Sequence, residues 1–286
     1  RITQSGFYGM GRFSLADPLK LIVGGRVSQW KQTSPTATAR VNAQFTPYGG
    51  LVYALSPQWS AYASYTQIFQ PQTQMTWSGE LLDPVEGNNY EAGVKGELAD
   101  GRLNVSLAVF NIRQKNRAQA DPAHPCVGAA CYYLASGEVE SQGFEAEATG
   151  QVTRDLSLSA AYTYNTTKYL KDATSQGQPF ARFAPKHILR LWGNYTLPWQ
   201  ERRWSLGLGV QAQSEYSVVS GATTLRQDSY LLANLRIGYR INRQLSAALN
   251  INNLFDRRYY QSLSGATWNN RYGEPLSAML TLRAEY

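Results

Sequence analysis

The pattern that most constrains this chain is an alternation, with a period of two, of apolar with polar or small side chains, sustained over segments of roughly ten residues or more. In 156–164, Leu156, Leu158, Ala160, Tyr162 and Tyr164 interleave with Ser157, Ser159, Ala161 and Thr163. Successive side chains of a strand point to opposite faces, so such a segment shows one face to an apolar medium and the other to a polar one. The pattern recurs in 229–241, where Leu231, Leu235, Ile237 and Tyr239 oppose Asn234, Arg236 and Arg240, and again in 245–255 and 276–286. Soluble strands run to ~5–6 residues, whereas a tilted strand needs ~9–11 to cross a bilayer. The length of the alternation therefore predicts membrane-spanning strands.

Read this way, the chain has about thirteen strands, near 3–15, 19–31, 46–55, 59–69, 88–98, 102–115, 138–152, 156–168, 186–197, 203–217, 228–241, 244–256 and 274–286. Short connections at 16–18, 56–58, 99–101, 153–155, 198–202 and 242–243 interleave with longer ones near 32–45, 70–87, 116–137, 169–185, 218–227 and 257–273. Short turns at one end and long loops at the other are the plan of an outer-membrane barrel. A soluble sandwich or propeller has no reason to sort its connections in this way. The predicted fold is all-β, a transmembrane antiparallel β-barrel, with 1–286 forming part of a single barrel domain. Trp59 with Tyr65, Tyr162 with Tyr164, and Tyr239 fall where aromatic girdles mark the two interfaces. The opposite faces carry Glu91, Lys95, Glu97, Glu145, Glu147, Arg236, Arg240 and Arg283, which implies a wet interior of mostly solvated side chains.

Composition closes off the competing classes. Charged residues make up 16% of the chain, against roughly 25% in soluble domains. Aromatics reach 12%, with 19 Tyr and 7 Trp. No stretch approaches the ~20 consecutive apolar residues of a membrane helix. The formal charge of +7 suits an anionic surface or ligand, but no Lys/Arg run exceeds two residues, so no nucleic-acid partner is expected. Cys126 and Cys131 lack the histidine company of a zinc site and are read as a short loop disulfide of an oxidising compartment.

Strand parity carries a further expectation. If the last long connection is extracellular, the final strand runs toward the periplasm, and with thirteen strands so does the first. Closure would pair parallel strands, whereas bacterial single-chain barrels have an even number of antiparallel ones. An odd number of strands is therefore expected upstream, making this the C-terminal part of a larger barrel.

The segment Asn253, Leu254, Phe255, Asp256, Arg257, Arg258, Tyr259, Tyr260, followed by a final strand ending in Tyr286, resembles the closing hairpin of TonB-dependent outer-membrane receptors. The run 60–72, the stretch 82–96 with Asn88-Asn89-Tyr90-Glu91-Ala92-Gly93, Ser141-Gln142-Gly143-Phe144-Glu145 and Ala184-Pro185-Lys186-His187 are similar to the siderophore-receptor branch. Within that branch the chain looks nearest to ferric-hydroxamate and ferric-pyoverdine receptors. The resemblance implies a barrel of about 22 strands, preceded by a plug domain and a TonB box, neither of which lies in this sequence.

On this reading the chain is the barrel part of an outer-membrane receptor for energised uptake of a ferric siderophore, working with the TonB complex as a monomer among outer-membrane lipid and lipopolysaccharide. Its long loops would be extracellular and its C-terminus periplasmic. A bulky polar ligand is met by loop aromatics through stacking and hydroxyl hydrogen bonds. The candidate ligand-binding residues are Trp77, Tyr132, Tyr133, Trp268, Arg271 and Tyr272, with Arg271 suited to an anionic group. Loop packing or interfacial anchoring is the alternative for each. His124 and His187 are the only histidines and fall in different loop regions, so iron is expected to travel only within the siderophore, with no metal site or cofactor of the protein's own. No nucleophile motif such as G-x-S-x-G is present, so no enzyme activity is expected and an outer-membrane hydrolase is a remote alternative. A passive porin is the stronger competitor, since it shares the wet lumen.

Overall fold

A computed structural model describes residues 1–33, 38–128, 130–266 and 268–285. Tyr286, part of the C-terminal motif, lies outside the described residues. The strands are β1 (Ile2–Ser14), β2 (Leu19–Thr33), β3 (Thr38–Ala54), β4 (Trp59–Gln70), β5 (Val85–Leu98), β6 (Leu103–Ala120), β7 (Tyr133–Gln151), β8 (Leu156–Lys171), β9 (His187–Thr196) and β10 (Trp204–Gln213). They continue with β11 (Tyr216–Ser220), β12 (Thr223–Gln227), β13 (Tyr230–Arg240), β14 (Leu245–Asn252), β15 (Tyr260–Ser262), β16 (Arg271–Tyr272) and β17 (Ser277–Ala284). Thirteen form one sheet in the order β1 to β10, β13, β14, β17, while β11 with β12 and β15 with β16 make separate two-stranded ribbons.

The short connections are those the sequence predicts, and three of them share one device. Ser56 Oγ accepts from the N–H groups of Gln58 and Trp59, Thr153 Oγ1 from those of Asp155 and Leu156, and Asn242 Oδ1 from those of Gln244 and Leu245. Each side chain mimics a backbone turn and so reverses the chain within a few residues.

Two compact units are distinguished. The first comprises Arg1–Val94, Ala108–Gly143 and Thr166–Phe180. Here the register aligns Phe7, Val27 and Phe45 across β1 to β3, and likewise Phe13, Leu21 and Leu51, on one face, all exposed except the half-buried Leu21. The opposite face carries Arg12, Arg26 and Tyr48. Tyr65 stands on the apolar side of β4 and packs against Tyr90 with ring centroids 5.2 Å apart, whereas Tyr62 faces the other way and donates to Glu91 at 2.5 Å.

The second unit comprises Lys95–Leu107, Phe144–Asn165 and Ala181–Tyr286. One row of partners runs Leu158, Gly193, Leu208, Leu235, Ile251, Ala278, and its neighbour runs Leu156, Tyr195, Leu206, Ile237, Leu249, Leu280. The alternate row holds Ser157, Asn194, Gly207, Arg236 and Asn250. Aromatic residues bound the apolar rows at both ends. Trp204 packs on Tyr239 at 4.4 Å beside the short turns, and Phe144, Tyr162, Tyr164 and His187 cluster at the other end, with Tyr162 Oη and His187 Nδ1 2.8 Å apart. His187 lies four positions along the strand from Leu191, whose partner Val210 lies six positions from Trp204. At ~3.3 Å per residue that is about 33 Å along the strand, or about 25 Å once tilted, the height of the apolar band of an outer-membrane barrel.

Several predicted boundaries shift. The connection read at 32–45 is largely strand, because β2 runs to Thr33 and β3 starts at Thr38. The one read at 116–137 shrinks to 121–132. The strands outrun their alternation because ladder hydrogen bonds do not require an apolar medium, while the sequence pattern ends where that medium does. The predicted strand 203–217 breaks after Gln213, and the loops read at 218–227 and 257–273 contain the ribbons β11 with β12 and β15 with β16. The predicted strand 244–256 ends at Asn252, since Asn253 and Asp256 take positive φ values of 48° and 47°.

Candidate functional site

Two aromatic assemblies lie at the long-connection ends of the strands, one in each unit. In the first unit, residues 71–84 fold back on themselves: the Thr76 N–H donates to Glu80 O and the Leu82 N–H to Gln74 O, with Gly79 at φ 81° making the turn. This places Trp77 over His124, with rings stacked at 4.5 Å, and edge-on to Tyr132 at 4.7 Å. His124 Nδ1 lies 2.8 Å from Asp121 Oδ2. That hydrogen bond holds the buried Asp121 carboxyl below its ordinary value, against the opposing effect of burial. Tyr133 begins β7, and its N–H donates to Met75 O, tying the two connections together. Cys126 and Cys131 are joined by a disulfide that closes the connection between Asp121 and Tyr132. A loop this short gains about 2–3 kcal/mol at most from the cross-link.

Gln72 fastens the base of this assembly. It is 9% exposed; its amide donates to Asp83 O and Asn116 O at 2.5 Å each, and its side-chain oxygen accepts from the Ala118 N–H at 3.2 Å. The amide of Asn116 donates to Pro84 O at 3.2 Å.

In the second unit, Tyr260 and Tyr272 stack at 4.4 Å with their hydroxyl oxygens 2.9 Å apart, and Tyr230 packs on Tyr259 at 4.5 Å. Tyr216 Oη donates to Tyr260 O at 3.0 Å, and the Tyr260 N–H donates to the buried Gln227 at 2.7 Å. Arg271 sits beside Tyr272 on β16, and Trp268 is 71% exposed in the connection before it.

The motif that closes the chain has a structural centre in Asn253, which is 3% exposed. Its amide donates to Arg257 O at 3.0 Å and Glu274 O at 2.9 Å, and its side-chain oxygen accepts from the Arg257 N–H at 2.9 Å. Asp256 Oδ1 accepts from the Leu276 N–H at 3.0 Å, and the Leu254 N–H donates to Ala233 O. Phe255 is 72% exposed, and Tyr259 belongs to the tyrosine assembly.

Of the six candidate ligand-binding residues, the structure joins Trp77 with Tyr132 in one assembly and puts Arg271 next to Tyr272 in the other. Sequence reasoning missed Asp121, Gln72, Tyr216 and Tyr230. The Asp-Pro-Ala-His spacing of Asp121 and His124 was a usable signal, whereas nothing local marks Gln72, whose partners lie 11, 44 and 46 residues away. Among the described residues no group of three or more His, Cys, Asp or Glu side chains converges to hold a metal.

A sheet with one lipid-compatible face, one polar face, aromatic girdles and elaborated connections at one end defines the wall of an outer-membrane-type barrel. The chain belongs to the TonB-dependent receptors: residues 1–254 match the family model described as TonB dependent receptor-like, beta-barrel. It is 40% identical over 302 residues to the ferric-pyoverdine M114 receptor of Pseudomonas sp. strain M114, covering 100% of this chain and 36% of that protein. It is 36% identical to the ferripyoverdine receptor of Pseudomonas aeruginosa, covering 99% of this chain and 35% of that one. The crystal structure of the P. aeruginosa ferripyoverdine receptor bound to ferripyoverdine superposes with a TM-score of 0.89 at 34% identity, over 99% of this chain and 38% of that one. The chain thus spans little more than a third of the length of the relatives it matches.

Proposed function

We propose that this chain is the C-terminal barrel wall of a ferric-siderophore receptor of the pyoverdine-receptor type, and that the whole receptor drives uptake through a plug domain energised by TonB. The observation that carries this reading is the superposition of 99% of the chain, at a TM-score of 0.89, on a receptor crystallised with ferripyoverdine. The long connections face the outside and the C-terminus the periplasm, with lipopolysaccharide around the outer rim and one receptor acting alone. The ligand brings its own iron, and the barrel does no covalent chemistry. A passive pore shares the polar lumen but does not account for the two aromatic assemblies, and the relatives are receptors.

Ligand contact falls to Trp77 and Tyr132 in the first assembly, and to Tyr133, Trp268, Arg271 and Tyr272, as stacking surfaces, hydroxyl donors and one cation. Trp77→Ala and Arg271→Ala in the full-length receptor are each expected to weaken ferric-siderophore binding about tenfold, the ~1.4 kcal/mol of a moderate hot spot. Trp77→Phe keeps a stacking ring over His124 and should retain most of the affinity. Unchanged affinity in both alanine variants would remove these residues from the site.

A further inference from the structure

We propose that the outer face of β1 to β3 carries a site for the phosphates of a lipid headgroup, centred on Lys31 and Arg40. The row of Phe7, Val27 and Phe45 is the last apolar row on this face. Four residues further along β2, about 13 Å at the rise of a strand, Lys31 occupies the same face. The register shifts between Ser28 and Trp30, with Ala43 at φ 51°, so β3 gains a residue and its parity inverts beyond that point. Even-numbered Asn42 and Arg40 are thereby turned onto the face of odd-numbered Phe45, and Arg40 becomes the direct Cα partner of Lys31.

The two cations help to line a cavity of about 570 Å³ together with Arg1, Thr3, Gln29 and Asn42, and among the described residues no carboxylate lines it. Like charges placed directly opposite across two strands repel. A phosphate between them removes the repulsion through charge-assisted hydrogen bonds. Elsewhere two cations near the long-connection ends of strands have carboxylate partners: Arg113 Nε lies 3.0 Å from Glu140, and Lys171 Nζ lies 3.2 Å from Glu138. The Lys31 and Arg40 position, without a carboxylate among the described residues of its lining, lies about 13 Å beyond exposed aromatic rings, so an acyl chain can lie along Phe7 and Phe45 while its headgroup phosphate reaches Lys31 and Arg40. That combination commits the site to an amphiphile. With the long connections outside, an orientation that rests on the proposed function, the amphiphile is the phosphorylated lipopolysaccharide of the outer leaflet.

The test uses the full-length receptor purified in detergent, with the double variant Lys31→Gln, Arg40→Gln beside a control, Arg113→Gln, Glu140→Gln. Co-purified lipopolysaccharide, measured as lipid phosphate per receptor, should fall at least threefold in the double variant and hold in the control, and ferric-siderophore binding should be unchanged in both. Added back, phosphorylated lipopolysaccharide should bind the wild type more tightly than its enzymatically dephosphorylated form. Equal lipid phosphate in the double variant and the wild type would overturn the proposal, as would binding of inorganic phosphate as tight as that of the lipid. Preference for phosphatidylglycerol vesicles over lipopolysaccharide would instead overturn the assigned orientation. Loss of siderophore binding by the wild type would strike at the proposed function alone.

Discussion

Asn253→Ala in the full-length receptor is expected to cost about 3–5 kcal/mol of barrel stability, the largest single-residue effect outside the apolar rows. Its side chain satisfies three backbone groups, the carbonyls of Arg257 and Glu274 and the N–H of Arg257, in a place that water scarcely reaches. Removing the amide leaves those groups buried and unpaired, at ~1–3 kcal/mol for each that stays so. Alanine must also adopt φ 48°, which glycine and asparagine tolerate far better. Two further variants separate these contributions. Asn253→Gly keeps the backbone conformation and loses every bond, so it should recover only the smaller part. Asn253→Asp keeps the acceptor for the Arg257 N–H but turns a carboxylate oxygen toward the carbonyls of Arg257 and Glu274, so it should cost at least as much as alanine. Thermal unfolding in detergent, followed by the mobility shift of folded barrel on unheated gels, reads all three. Equal midpoints for wild type and Asn253→Ala would show that the turn does not depend on this side chain.

Gly150→Val should be nearly as damaging, for a different reason. Gly150 lies near the end of β7 with φ 141°, and a Cβ there would collide with the carbonyl oxygen of Arg102 and come within 2.9 Å of Leu103 Cα. Both obstacles are backbone, and the adjacent Gln151 N–H donates to that same Arg102 carbonyl at 2.8 Å, so relief requires breaking the ladder where β6 meets β7. A cost of about 3 kcal/mol or more would appear as a fall in folded receptor recovered from membranes. Gly101→Ala provides the comparison. Gly101 also has a positive φ, 79°, but a Cβ there meets nothing within 4 Å. It should cost only the ~1–2 kcal/mol of the backbone conformation. Equal recovery of both variants would mean that the close approach at Gly150 is not what holds the strand end.

These two positions also mark how far the sequence could be read. The membrane-crossing portions were legible because lipid imposes a period of two that nothing else in the chain mimics. The rows through Leu158, Leu208 and Leu235, and the rings at Trp204, Tyr239, Tyr162 and Tyr164, stand where alternation places them. The short turns were legible because Ser56, Thr153 and Asn242 act on neighbours two and three residues away. Beyond the apolar band the constraint disappears. Strands continue on backbone hydrogen bonds with no side-chain signature, so β3 starts at Thr38, eight residues before the predicted 46, and only its pairing with β2, as at Lys31 and Arg40, reveals it. The loop assemblies depend on partners distant in sequence. Trp77 meets His124 and Tyr132, and Tyr216 meets Tyr260, across gaps that no local pattern spans. The aromatic residues themselves could be nominated, and their grouping could not.

The same physics separates the two halves of the functional account. A polar face and an apolar face specify a barrel wall, and a barrel wall alone is equally suited to a passive pore. Selective capture needs convergent side chains held in place, and in the proposed reading the buried Gln72 and the bridged Cys126 and Cys131 hold the assembly around Trp77 for that purpose.

The most direct test of the central claim is uptake of radiolabelled iron, supplied as ferric pyoverdine, by cells whose only siderophore receptor is the full-length protein. Saturable accumulation is expected, stopping when TonB is deleted or the proton motive force is collapsed, while binding to the cell surface persists. Accumulation that rises linearly with concentration and continues in de-energised cells, or no binding of any ferric siderophore, would contradict it.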